Sequence, residues 1–234
     1  MAILIERRIL SNVDFFAFSL AYAGILVARN SAWIPDAWSL LPVVETAWLN
    51  FLLVVVLVLW LRARPVGLEN IGLKFPPQMR LMLRWVPVIM IADVLATGLA
   101  TPVLVSVFGE TQQLGRFSDV PGNLSLLLTI LPFVWLLAAF GEEFFFRGFV
   151  LTRLAELFGA TRWAWGLAIT IQAIAFGGIH AYQGPVDMIL IGIGGLVYGT
   201  AFVLLNRNLW PLILAHGIND TVGFILLYTG AIHV

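Results

Sequence analysis

Seven long apolar stretches, separated by short polar segments, constrain this chain more than any other feature. A helix needs about 20 mostly apolar residues to cross the hydrocarbon core of a bilayer. The candidate spans are Val13–Ala28, Glu45–Leu61, Leu81–Phe108, Leu124–Leu157, Trp163–Ala181, Pro185–Leu205 and Trp210–Leu227. The pattern predicts an all-α, polytopic transmembrane helix bundle of about seven helices. The number becomes eight if the long fourth stretch breaks, for which Pro132 and Gly141 are the expected places.

The composition supports a membrane domain and excludes several function classes. Hydrophobic residues make up 61% of the chain and charged residues only 11%, whereas soluble domains carry about 25% charged residues. We therefore expect one integral membrane domain over residues 1–234, with the lipid bilayer around it. The formal net charge is zero, so no basic surface predicts nucleic-acid binding. The chain has no cysteine, which excludes disulfides, thiolate metal sites and a cysteine nucleophile.

The loop charges predict the orientation of the bundle, because Lys and Arg accumulate in cytoplasmic loops. Ten basic residues fall on one side of the predicted spans: Arg7, Arg8, Arg62, Arg64, Lys74, Arg80, Arg84, Arg153, Arg162 and Arg207. Only Arg29 and Arg116 fall in the alternate loops. We therefore predict that the N-terminus is cytoplasmic. We also expect the membrane to be the bacterial cytoplasmic membrane, although the loop charges do not bear on the host.

Ionisable residues inside the predicted spans are the candidate functional residues. A charge within a bilayer costs several kcal/mol unless it is paired or faces a cavity, so such residues suggest a functional site. The candidates are Asp93, Glu142, Glu143, Arg147, His180, His216 and Asp220. Asp93 stands alone in its span, and a structural hydrogen bond explains it as well as a function does, so it is not assigned to the predicted site.

The other candidates occur at helical spacing. Glu143 and Arg147 are four residues apart and should form an ion pair on one helix face. Glu142 is rotated by about 100° from Glu143 and should remain free. The same spacing pairs Phe176 with His180, and it pairs His216 with Asp220.

The depths of these residues can be compared from the helix lengths. Glu142 lies 18 positions before Ala160 and His180 lies 20 after it, which corresponds to about 27 and 30 Å at the α-helical rise. The two residues should therefore meet in an antiparallel hairpin. His216 lies only 8 positions past Asn208, or about 12 Å into the membrane, and needs helix tilt or an irregular helix start to join them.

These residue types allow two interpretations. A free buried glutamate beside two histidines and a carboxylate suits general-base activation of water, with a histidine stabilising an oxyanion. The alternative is a buried polar network that holds helices together or relays protons in a transporter. A transporter also predicts an internal repeat of broken helices, and no second copy of these motifs occurs in the sequence.

The three motifs together resemble the CPBP family of CAAX-protease and bacteriocin-processing (Abi) membrane proteins. Residues 141–148 read GEEFFFRG and are similar to the EExxxR motif, residues 176–180 (FGGIH) to FxxxH, and residues 216–220 (HGIND) to HxxxN/D. The likeness covers about residues 120–230. It implies a polytopic endopeptidase that cleaves a membrane-associated protein or peptide.

The resemblance also implies roles for individual residues. Glu142 would activate water with the help of His180, and Glu143 and Arg147 would support the site. His216 and Asp220 would correspond to the pair that stabilises the oxyanion. Phe176 and Asn219 complete the matched segments. An ionised aspartate cannot donate a hydrogen bond to an oxyanion as an asparagine can, so Asp220 could instead orient His216.

The sequence does not decide whether the protein needs a metal or whether it is catalytically active. The chain has no HExxH motif, and a metal-free mechanism is favoured. Zinc is the alternative cofactor, and its ligands would come from Glu142, Glu143, His180 and His216. A fold does not determine a function, so the alternative to a protease is a non-catalytic scaffold, immunity factor or subunit of a membrane complex.

Overall fold

The computed structural model describes residues 14–21, 24, 42–63, 68–74, 78–109 and 117–232, and no strand occurs among them. Seven helical elements follow one another in this part of the chain. They are α1 (residues 14–21), α2 (Pro42–Arg62), α3 (Met79–Phe108), α4 (Leu124–Leu157), α5 (Arg162–Gly178), α6 (Pro185–Leu204) and α7 (Trp210–Tyr228). The predicted helical bundle is therefore confirmed. The remainder of the first predicted span lies outside the described residues.

Four of the described helices are long and apolar enough to cross a membrane, judged by length and composition. They are α3, α4, α6 and α7. Many of the large apolar side chains on α3 face outward, among them Leu95 and Leu99. Exposed apolar surface of this extent is the pattern expected of a helix that faces lipid. The chain is thus embedded in a membrane.

The long helix α4 changes its winding instead of breaking. Leu124–Phe133 is α-helical, Val134–Leu151 is a π-helix and Thr152–Leu157 is α-helical again. Proline has no N–H to donate and crowds the carbonyl four residues earlier, so Pro132 interrupts the α-helical ladder just before the wider winding begins. The helix does not break at Gly141, because the π-helix runs through that residue.

The helices alternate in direction, so their connections gather at two ends. At one end, which we call the basic end, residues 68–74, 158–161 and 205–209 meet. There Leu209 N–H donates to the Gly72 carbonyl at 3.0 Å and the Lys74 ammonium donates to the Asn206 carbonyl at 2.7 Å. Residues 117–123, 179–184 and 229–232 lie at the other end, which we call the distal end. There Gly122 N–H donates to the Tyr228 carbonyl at 2.9 Å.

Close packing of α5 against α6 positions the turn that follows α5. A Cβ on Gly177 would collide with the Met188 carbonyl oxygen, and one on Gly195 would lie 3.0 Å from the Ala173 Cα. Such close approach is typical of membrane helices, which associate through small residues. It holds the C-terminal end of α5, and hence the residues just beyond it, beside the first turns of α6.

Candidate active site

A cavity of about 710 Å³ lies between α3, α4, α6, α7 and the turn after α5. All the residues assigned to the site from the sequence line it: Glu142, Glu143, Arg147, Phe176, His180, His216, Asn219 and Asp220. Residues from three separate segments of the chain are thus brought to one place. This includes Glu142 and His180, whose similar depth was expected from the hairpin.

The predicted ion pair between Glu143 and Arg147 forms at the bottom of this cavity. The Arg147 guanidinium nitrogen Nη1 lies 2.9 Å from Glu143 Oε1, and the side chains of Arg147 and Glu143 are 1% and 0% exposed. Buried charges are tolerated when they are paired. The pair is therefore part of the internal framework of the site.

Aromatic rings enclose the arginine. The Arg147 guanidinium carbon lies 4.2 Å from the centre of the Phe176 ring and 5.4 Å from that of Tyr198. A cation over an aromatic face is stabilised by the ring quadrupole, and arginine suits this contact best. Phe176 also packs against the His180 ring at 5.1 Å, so it links the arginine to the first histidine. This accounts for the phenylalanine of the FxxxH motif.

Glu142 differs from Glu143 in its exposure and in its pairing. Its side chain is partly exposed and lines the cavity, whereas that of Glu143 is fully buried. Among the described residues, no hydrogen-bond or ion-pair partner of Glu142 is found. The expectation that one glutamate is neutralised while the other stays free therefore agrees with the geometry. A free carboxylate that faces a cavity can accept a proton from a bound water.

His216 lies between two carboxylates. Its Nδ1 is 2.9 Å from Glu143 Oε1 and its Nε2 is 3.4 Å from Asp220 Oδ2. Glu143 therefore holds both Arg147 and His216 through a single oxygen atom. The contact also shows that His216 lies at the depth of Glu143, which the helix lengths alone did not predict. The longer distance on the Asp220 side leaves Nε2 the less constrained of the two ring nitrogens.

His180 lies in the site, but not on a helix as the predicted span Trp163–Ala181 required. The helix α5 ends at Gly178, and His180 begins the short 3₁₀-helix Ala181–Gln183 with φ of −99° and ψ of 9°. Its Nδ1 is 2.8 Å from the Phe176 carbonyl oxygen. Because a carbonyl only accepts, Nδ1 carries the proton, and a neutral ring then presents Nε2 as an acceptor.

Asp93 belongs to this site, although sequence reasoning left it out. Its Oδ2 accepts a hydrogen bond from Asn219 Nδ2 at 3.2 Å, while the side chain is 9% exposed and Oδ1 has no partner among the described residues. Asp93 thus engages the residue next to Asp220 on α7. A lone carboxylate in a long apolar span was the signal that could have found it.

The described residues offer no preformed set of ligands for the zinc alternative. Within the described part of the chain, no group of three or more His, Asp or Glu side chains is placed so that it could hold a metal ion. Two of the four proposed ligands, Glu143 and His216, point their polar atoms at each other. A tetrahedral zinc site would require both to turn toward a common point.

Comparison with known proteins supports the interpretation of the motifs. No curated protein and no solved structure matches this chain. The family model described as type II CAAX prenyl endopeptidase Rce1-like matches residues 124–222, a range that contains all three motifs. The resemblance to the CPBP family is therefore confirmed over residues 124–222, which are similar to the Rce1-like type II CAAX prenyl endopeptidase family.

Proposed function

We propose that this protein is an intramembrane endopeptidase that hydrolyses a peptide bond of a membrane-associated protein or peptide, in CAAX-type or bacteriocin-type processing. The observation that carries the proposal is the contrast between the two adjacent glutamates. Glu143 is held by Arg147 and His216, which leaves Glu142 as the carboxylate that can act on water in the cavity. The Rce1-like match over residues 124–222 supports the same class of reaction.

The proposed reaction begins with a water molecule between Glu142 and His180. Glu142 takes a proton from this water while the oxygen attacks the carbonyl carbon of the peptide bond. His180 orients the water through its Nε2, since its Nδ1 is occupied by the Phe176 carbonyl. The carbonyl oxygen becomes an oxyanion in a tetrahedral intermediate. The carbon–nitrogen bond then breaks, and Glu142 returns the proton to the leaving amine.

His216 is the proposed donor to the oxyanion. Glu143 fixes the ring through Nδ1, and Nε2 is held by Asp220 only at 3.4 Å, so a small ring movement frees an N–H for the oxyanion. A donor prepositioned in a water-poor cavity stabilises developing charge strongly. Asp220 orients His216 in this scheme, which resolves the difficulty that a carboxylate cannot itself donate to an oxyanion.

The test compares wild type with Glu142→Gln and His180→Ala in cleavage of a quenched fluorescent peptide library in detergent. The matched control is Glu156→Gln, because Glu156 is an exposed carboxylate at the basic end that pairs with Arg153 at 2.6 Å. We expect loss of the general base to lower the cleavage rate by at least about 10²-fold, and we expect the control to cleave like wild type.

Two further arms make the result decisive. Each variant is first shown to be monodisperse and as stable as wild type, so that lost cleavage reports chemistry. A chelator is then added, because zinc-dependent cleavage would contradict the metal-free scheme. Undiminished cleavage by Glu142→Gln would refute the assignment of the base.

A further inference from the structure

The cavity extends from the ionisable cluster toward the distal end. Beyond the cluster, its wall includes Thr101 from the C-terminal part of α3, Gln183 from the turn after α5 and Leu227 from the end of α7. Phe117 and Ile232, which lie at the distal end, line it as well. The path between the reacting groups and the surface therefore runs along the C-terminal ends of α3, α5 and α7.

The opposite direction is closed by tight packing. Among the described residues, none from 148–157 or 205–212 lines the cavity. A Cβ on Gly148 would lie 2.9 Å from the Ile71 carbonyl oxygen and 3.1 Å from Leu209 Cδ1. Leu151, Leu209 and Leu212 are fully buried in the same region. Packing at this density leaves no passage for a peptide toward the basic end.

The two ends also differ in charge. The described residues at or next to the basic end include seven basic side chains, which are Arg62, Lys74, Arg80, Arg84, Arg153, Arg162 and Arg207. The described loops of the distal end contain no Lys or Arg, and Asp119 is exposed there. Since basic loops stay in the cytoplasm, this asymmetry places the basic end on the cytoplasmic side.

We infer that the cavity receives its substrate from the extracytoplasmic side, so that the cleaved segment belongs to an exported peptide or to an external part of a membrane protein. The direction of access follows from the cavity and the charges alone. That the occupant is a peptide to be cleaved rests on the proposed function.

The cavity wall further defines the segment that fits. Five carboxylates line it, from Asp93, Glu142, Glu143, Asp187 and Asp220, against one arginine and two histidines. Like charges brought together in a site of low dielectric are strongly unfavourable. The accepted segment is therefore apolar and carries either no charge or a positive charge. A peptide with an acidic residue beside the scissile bond is not accepted.

The absence of cysteine from the chain allows the direction of access to be tested without removing native thiols. Ala138→Cys places a thiol inside the cavity, because Ala138 lines it next to the ionisable cluster. Ser118→Cys and Glu156→Cys mark the distal and basic ends, since both residues are exposed. Gln183→Cys serves as a second cavity probe at the mouth. Each variant is retained only if it is monodisperse.

Each thiol is exposed to a charged, membrane-impermeant reagent in vesicles of right-side-out and inside-out orientation. We expect the thiols at 118, 138 and 183 to react at least about tenfold faster in right-side-out vesicles, because a charged reagent does not cross the hydrocarbon core. The thiol at 156 should show the opposite preference.

Three results would overturn the inference. The first is that the thiol at 138 reacts faster in the same vesicle orientation as the thiol at 156. The second is that the thiol at 118 reacts from the cytoplasmic side, and the third is that the thiols at 138 and 183 react from neither side. Peptide cleavage is measured separately in the cysteine-free protein. Failure of the proposed function is thereby distinguished from failure of the inferred access.

Discussion

The ion pair at the bottom of the cavity gives the sharpest prediction about stability. Glu143 Oε1 and Arg147 Nη1 are 2.9 Å apart, and both side chains are almost fully buried. At this distance two unit charges attract by about 6 kcal/mol at an effective dielectric constant of 20, and the cost of removing them from water offsets much of that. Removing Glu143 alone leaves the Arg147 charge buried without its carboxylate, and removing Arg147 leaves Glu143 with His216 alone. Breaking one partner of a buried pair costs about 3–5 kcal/mol.

The prediction is therefore strongly non-additive. We expect Glu143→Leu and Arg147→Met each to lower the free energy of unfolding by about 3–5 kcal/mol, and the double variant to cost clearly less than the sum of both, because apolar side chains of similar volume replace both charges. Some cost remains in the double variant, because His216 Nδ1 loses Glu143 Oε1, which lies 2.9 Å away. Unfolding is measured by titrating the fraction of a denaturing detergent in mixed micelles. Single variants that cost less than about 1 kcal/mol, or a double variant that costs the sum of both, would refute the reasoning.

Two smaller predictions concern α7 and are measured by the same titration. We expect Asp93→Leu to cost about 1–3 kcal/mol, because Asn219 Nδ2 loses the acceptor that lies 3.2 Å away; an unchanged stability would show that this hydrogen bond contributes nothing. We expect Gly217→Ala to cost about 1–3 kcal/mol, because its Cβ would lie 2.6 Å from the Trp135 ring. The matched control, Gly223→Ala, has nothing within 4 Å of its Cβ and should not destabilise, so equal effects of the two alanines would contradict the steric explanation.

The features that the sequence predicted well depend on local periodicity. Apolar runs mark helices because each span must satisfy its backbone hydrogen bonds internally. Residues four apart share a helix face, which is why the pairs Glu143–Arg147 and His216–Asp220 could be predicted. The spacing survives the π-winding of residues 134–151, because side chains four apart remain neighbours when hydrogen bonds run from residue i to i+5.

The features that it missed depend on distant partners or on local winding. The contact between Asp93 and Asn219 joins residues 126 positions apart, and no spacing rule connects them. The end of α5 before His180 was also missed, since the apolar run continues through Ile179 and Ala181. In the structure the Phe176 carbonyl near this helix end accepts the His180 side chain, an example of a side chain satisfying a carbonyl group at a helix terminus.

The arrangement of His216 explains why an aspartate can occupy the last position of the third motif. If residue 220 acted alone on the oxyanion, a carboxylate there would repel the developing charge. Glu143 already anchors the ring at Nδ1, so in the proposed mechanism residue 220 holds Nε2 until substrate arrives. Either a carboxylate or an amide oxygen can accept from that nitrogen. Asp220→Asn should therefore preserve this orientation, whereas a side chain without an acceptor should not.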